Sequence, residues 1–236
     1  MCTVSYLPLG NNDFILTSNR DESPIRKTIP PKKYDENGVE LLYPKDQLAG
    51  GTWIGLSEKN RLVCLLNGGF TKHQRNEYYR LSRGVIVKEI LTSDDAVAHI
   101  NNYDFTDIEP FTIVLVDWNN NLETHELVWD GAQKHFTKLT QTPHIWSSST
   151  LYTDDMKQLR KDWFADWLNE QESFQQKNIL EFHQDDTKGD VGTSLKMKRP
   201  FVETVSVTSV KKIAKNITVG YLDVLQNKTF NTGQKQ

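Results

Sequence analysis

The chain has 236 residues, 28 Lys and Arg against 31 Asp and Glu, and a formal net charge of −3. Six Trp, eight Tyr and ten Phe can fill a sizeable core, which excludes a wholly disordered chain and fits one domain over residues 1–236. No block of five like charges appears, so a nucleic-acid partner is not expected. No apolar run approaches the ~18 residues of a membrane span. The start, MCTVSYLPLGNNDF, lacks the basic and apolar regions of a secretory signal. With Cys2 and Cys64 alone there is neither a disulfide framework nor zinc-ligand spacing, and the expectation is a cytoplasmic, soluble protein.

Strand-like residues 2–7 and 14–18 flank the turn Gly10-Asn11-Asn12-Asp13. Residues 23–44 carry four prolines and read as a surface loop. Residues 53–57 and 62–66 form a predicted hairpin around Glu58-Lys59-Asn60, bounded by Gly50-Gly51 and Gly68-Gly69. Helical spacing begins near Tyr78, with Leu81, Val85, Ile86 and Ile90 on the same face. Ser93 is the predicted N-cap of a short helix reaching Asn101, with Asp94 and Asp95 in its first turn. Strands return at 111–118 and 124–129 around Asn119-Asn120-Asn121, then at 136–139 and 144–148.

Thr153 caps an amphipathic helix with Met156, Leu159, Trp163, Trp167 and Leu168 along one side. A second helix is predicted over 173–183 and a polar loop over 185–192. Strands at 202–210 and 217–225 then precede a frayed tail. The order lacks alternating βαβ units, which excludes a doubly wound sheet and points to an α+β fold with antiparallel sheets and segregated helices.

Cys2 is the first candidate for chemistry. Loss of Met1 would leave a thiol beside its own α-amine, whose pKa of about 7.7–8.0 suits a general base. The competing reading is a small residue opening a buried strand. Asn19-Arg20-Asp21-Glu22 follows the second strand, whose end lies beside Cys2 in a hairpin. Arg20 can hold a thiolate or a carbonyl oxygen, and Asp21 can orient the α-ammonium. The competing reading there is a solvated turn with an ion pair worth at most ~1 kcal/mol.

In Leu65-Leu66-Asn67-Gly68-Gly69, glycines let backbone N–H groups approach a carbonyl oxygen, or simply make a turn. Trp53 reads first as packing at a strand start and second as a ligand cover. Arg83 reads first as an ion pair. Cys64, between apolar neighbours, is expected to be inert core. The six histidines show no i, i+3 or i, i+4 pair, so no helical metal site is signalled; no metal and no cofactor are expected.

Met1-Cys2-Thr3, Asn19-Arg20-Asp21-Glu22, Gly50-Gly51-Thr52-Trp53-Ile54-Gly55 and Ser82-Arg83-Gly84 together resemble the NRDE family (transport and Golgi organisation protein 2-like). That family is similar to the N-terminal-nucleophile hydrolases such as penicillin V acylase and bile-salt hydrolase. The resemblance implies a four-layer αββα sandwich with two antiparallel sheets. It also implies hydrolysis of a non-peptide amide with Cys2, Arg20, Asp21 and Asn67 catalytic, and Asn19, Glu22, Trp53 and Arg83 binding a small acyl substrate. Asn19 and Asp21 match the acylase Arg-Asn-x-Asp segment; its arginine is replaced by Ser18, with Arg20 two positions on. An acylase asparagine has no counterpart near Ser147-Ser148-Ser149, nor a late arginine between Thr204 and Thr208. The second reading is a catalytically silent binding or trafficking protein of the same family, serving lipid or acyl-CoA homeostasis, haem handling or secretory organisation, with a lipid-like or haem ligand.

Overall fold

The computed structural model describes residues 3–235. It comprises β1 (Thr3–Gly10), β2 (Asp13–Glu22), β3 (Thr28–Glu36), β4 (Val39–Asp46), β5 (Ile54–Ser57), β6 (Arg61–Asn67), α1 (Arg83–Thr92), α2 (Ala96–Asn102), β7 (Phe111–Asp117) and β8 (Glu123–Trp129). These are followed by β9 (Lys134–Lys138), β10 (His144–Ser147), α3 (Asp154–Asn169), α4 (Gln176–His183), β11 (Glu203–Ile213), β12 (Asn216–Asp223) and β13 (Lys228–Lys235). The chain forms two compact units. One comprises Met1–Arg26, Thr142–Ser147 and Leu151–Gln236; the other comprises Lys27–Gln141 and Ser148–Thr150.

The first unit holds a six-stranded antiparallel sheet in the order β10-β1-β2-β11-β12-β13. Asn11 and Asn12, both at positive φ, close the β1–β2 hairpin, a conformation asparagine tolerates better than most residues. Thr3 pairs with Asn19, Ser5 with Thr17 and Leu7 with Ile15, so these six side chains share one face. On that face Leu7 and Ile15 pack with Phe164 and Trp167 of α3, Ile179 and Phe182 of α4, and Leu195. The opposite face carries Val4, Tyr6, Phe14, Leu16, Ser18 and Arg20, all buried.

The second unit is a seven-stranded antiparallel sheet, β3 through β9 in sequence order, with α1 over β5 and β6. Two sequence motifs meet there. A Cβ on Gly51 would lie 3.3 Å from the Gly84 Cα, so the Gly50-Gly51 loop and the start of α1 touch backbone to backbone. Arg61, fully buried, donates to the carbonyls of Ile90, Ser93 and Asp94 and so ties β6 to the end of α1.

Several expectations are corrected. Residues 23–44 are not a loop: β3 and β4 form a hairpin through Asn37-Gly38, both at positive φ. Pro30 and Pro31 are tolerated because β3 is an edge strand with a register shift between Ile29 and Lys32. The helix expected from Tyr78 starts at Arg83, and Tyr78 is 75% exposed. Ser93 is the C-cap of α1, while Asp95 caps α2 by accepting from Ala98 N–H at 2.9 Å.

The α3 stripe is also rotated. Thr153 caps α3 as expected, but Arg160, Phe164 and Trp167 are its buried positions and Leu159 is 46% exposed. A charged residue lies inside here because each of its three guanidinium nitrogens finds an acceptor. The tail beyond residue 225 is strand β13, paired with β12. Asn19-Arg20-Asp21-Glu22 lies within β2 rather than in a turn after it, because β11 continues the ladder as far as Glu22.

Candidate active site

Cys2 lies outside the described residues. Thr3, the next residue, begins β1 opposite Asn19, and from that point two buried polar networks run across the helix-covered face of the first unit. In the first, Asn19 donates its amide to the carbonyls of His183 (3.0 Å) and Leu195 (2.8 Å). Its Oδ1 therefore faces His183 Nδ1 at 2.6 Å as acceptor, which places the ring proton on Nδ1. Nε2 is left as an acceptor for the Ser5 hydroxyl at 2.7 Å. Burial pushes the His183 pKa down to about 3, with the Arg160 charge adding to the effect, so the ring is neutral at physiological pH.

The second network centres on Asp21. One carboxylate oxygen accepts the Tyr152 hydroxyl at 2.9 Å and the other accepts the Thr204 hydroxyl at 2.6 Å. The Tyr152 ring lies under the Arg160 guanidinium, 3.6 Å from centroid to Cζ. Arg160 in turn donates to the Thr3 hydroxyl, to the Thr193 carbonyl and to the Ser194 carbonyl at 2.5 Å. A buried cation thus reaches the residue next to Cys2 without a carboxylate in contact among the described residues. Its charge is offset by the ring face and by carbonyl dipoles.

Arg20 points to the other face of β2, 2% exposed. It donates to the Arg26 carbonyl at 3.2 Å and lies 3.9 Å from Glu22. Glu22 pairs more closely with Arg26, at 3.3 Å. Arg20 and Asp21 therefore belong to opposite faces of one strand, as alternation requires.

In the second unit, Asn67 ends β6, half-buried, and its side-chain amide makes no hydrogen bond among the described residues. Gly68, at φ +87°, turns the chain there; a Cβ would lie 3.1–3.2 Å from Ser149 and Thr150. Its N–H donates to the Pro110 carbonyl at 3.0 Å and so is not open to a ligand. Ser148 donates to the Asn67 carbonyl at 2.7 Å, and Ser149 to the Gly69 and Phe70 carbonyls at 2.5 and 3.0 Å. Ser148 and Ser149 thus shape this turn.

Trp53 is buried just before β5. Arg83 opens α1, donating to the Pro110 carbonyl at 3.1 Å and pairing with Glu109 at 3.1 Å. Cys64 lies in β6 and is fully buried. Among the described residues no group of three or more His, Cys, Asp or Glu is arranged to hold a metal. The sequence reading missed His183, Tyr152 and Arg160. The helical spacing of Arg160 and Phe164, four residues apart and followed by Trp167, was the one available signal.

A family model described as Transport and Golgi organisation 2 matches residues 1–230. Among solved structures, a Caenorhabditis elegans N-acylethanolamine-hydrolyzing acid amidase ortholog is similar over 88% of this chain and 92% of its own, with TM-score 0.63 and 13% identity. A variant of conjugated bile acid hydrolase from Clostridium perfringens is similar over 98% of this chain and 92% of its own, with TM-score 0.55 and 10% identity. At these identities the likeness is one of fold: α+β with two antiparallel sheets, of the N-terminal-nucleophile hydrolase type. No curated protein sequence matches the chain.

Proposed function

The chain belongs to the Transport and Golgi organisation 2 family, and from that premise we propose that it is a cysteine N-terminal-nucleophile hydrolase of a small acyl amide or related acyl compound. The observation that carries the reading is Asp21. It is a buried carboxylate on β2, two residues beyond the partner of Thr3, with each oxygen held by a hydroxyl. In this reading Asp21 fixes the α-amine of a processed Cys2.

The Cys2 thiol passes its proton to the α-amine and the sulfur attacks the acyl carbonyl. The resulting oxyanion collapses, the C–N bond breaks, and the leaving amine takes the proton from the α-ammonium. Water then attacks the thioester with the same amine as base, releasing a carboxylic acid and restoring the thiol. Arg20 and the Asn67 amide are assigned to oxygen atoms of the substrate, and Trp53, Glu22 and Arg83 to its surroundings. Asn19, already bonded to His183 and Leu195, acts by fixing β2. The N-acylethanolamine-hydrolyzing acid amidase and the conjugated bile acid hydrolase of similar fold support the substrate class.

The second reading is a silent binding or trafficking protein for a lipid-like ligand, acyl-CoA or haem. It is favoured by Gly68, whose N–H is engaged by Pro110 instead of being open to an oxyanion. No helix among the described residues is long and apolar enough to cross a membrane; a cytoplasmic location is part of the same proposal and rests on no structural observation. Turnover of acyl amides by wild type, Cys2→Ser and Asp21→Asn tests the choice. The hydrolase reading expects both variants to lose turnover by orders of magnitude while keeping the fold. Equal turnover in all three rejects it.

A further inference from the structure

The face of the first sheet that the helices do not cover is divided along its length. Val4, Tyr6, Phe14, Leu16, Val210, Val219 and Tyr221 make most of it apolar. Its other end is polar: Ser18 and Arg20 on β2 stand directly opposite Thr208 and Ser206 on β11. In register, directly opposed side chains lie about 5 Å apart at Cβ, so the four form one patch. All four are buried, Ser206 and Thr208 each to 1% exposure.

The Ser206 and Thr208 hydroxyls have no hydrogen-bond partner among the described residues. An unsatisfied buried hydroxyl is destabilising, and a protein seldom keeps two side by side on a core face. Valine or alanine would fit the same strand without that cost. The patch also lies at the end of the face where β1 begins with Thr3, one residue after Cys2.

We propose that Ser206 and Thr208, with Arg20 beside them, form a binding site for the carboxylate group of an acyl compound. A carboxylate accepts from both hydroxyls and benefits from the guanidinium charge, whereas a ligand group that only donates hydrogen bonds gains nothing from Arg20. The inference deepens the hydrolase reading and rests on it for the origin of the ligand, since the product of acyl-amide hydrolysis is a carboxylic acid. The hydroxyls are then kept for the ligand at the expense of the ligand-free protein.

That last point makes the site testable without knowing the natural substrate. The variants are Thr208→Val, Ser206→Ala and the two combined, and the probes are octanoate and its neutral isostere octanamide. Each protein is melted alone and titrated with each probe by calorimetry. We expect the ligand-free double variant to melt higher than wild type by a few degrees. Wild type should bind octanoate at least tenfold more tightly than octanamide, and the double variant should lose that preference. A double variant that melts lower, or fails to fold, would mean that the hydroxyls already serve the structure and would overturn the proposal. Octanoate binding that is absent from wild type, or unchanged in the double variant, would overturn it too. The hydrolase reading fails separately: octanoate binding as expected, with no acyl group ever found on Cys2, rejects the chemistry and leaves the site.

Discussion

Tyr152 joins the buried Asp21 carboxylate to the buried Arg160 cation, and two substitutions separate those contacts. Tyr152→Phe keeps the ring 3.6 Å beneath the guanidinium and removes only the hydroxyl that donates to Asp21 at 2.9 Å. Loss of a hydrogen bond to a buried charged group costs about 1.5–3 kcal/mol, and Tyr152 and Asp21 are both within a few percent of complete burial. For a chain of this size that corresponds to a fall in Tm of roughly 3–12 °C. Tyr152→Leu also removes the aromatic face and leaves Arg160 over an aliphatic side chain, adding about 1–2 kcal/mol. The order wild type, Phe, Leu in thermal or urea unfolding is therefore the expected result. A Phe variant as stable as wild type would refute the Asp21 link, and a Leu variant equal to Phe would refute the ring–guanidinium contact.

Three further outcomes follow from the same geometry. His183 has its folded pKa depressed from 6.5 to about 3, so unfolding takes up a proton below pH 6.5. Stability should fall by about 1.4 kcal/mol per pH unit between pH 6 and 3 on account of this residue, and less steeply in His183→Gln, as acid titration of the urea midpoint would show. Gly51→Ala should lose about 1–3 kcal/mol in unfolding experiments, because its Cβ meets backbone of Gly84 that cannot move aside cheaply. Cys64 should resist a thiol reagent in the native protein and react fully in denaturant; native labelling would show that β6 is not core.

The sequence reading succeeded where local chemistry and periodicity agree. Asn11-Asn12 announces the first hairpin, Thr153 the start of α3, and the apolar runs 62–66 and 111–118 two central strands. It failed where tertiary partners decide. Pro30 and Pro31 read as loop because edge position, which permits them, is invisible in a single chain. The Asn19–Glu22 segment reads as a turn because the ladder that extends β2 comes from β11, more than 180 residues away. Arg160 does not stand out in the sequence because its acceptors, Thr3, Thr193 and Ser194, belong to distant segments. The motif glycines and Arg83 were legible as structure; that Gly51 and Gly84 touch each other required the fold.

The central claim, a processed Cys2 that carries an acyl group during turnover, is tested most directly by intact-mass spectrometry of the native protein before and after quenched reaction with acyl amides and acyl thioesters. The account predicts a starting mass lacking Met1 and a transient gain of one acyl group that maps to Cys2 and is absent in Cys2→Ala. A native mass that retains Met1, or no adduct on Cys2 across the whole acyl panel, would contradict it.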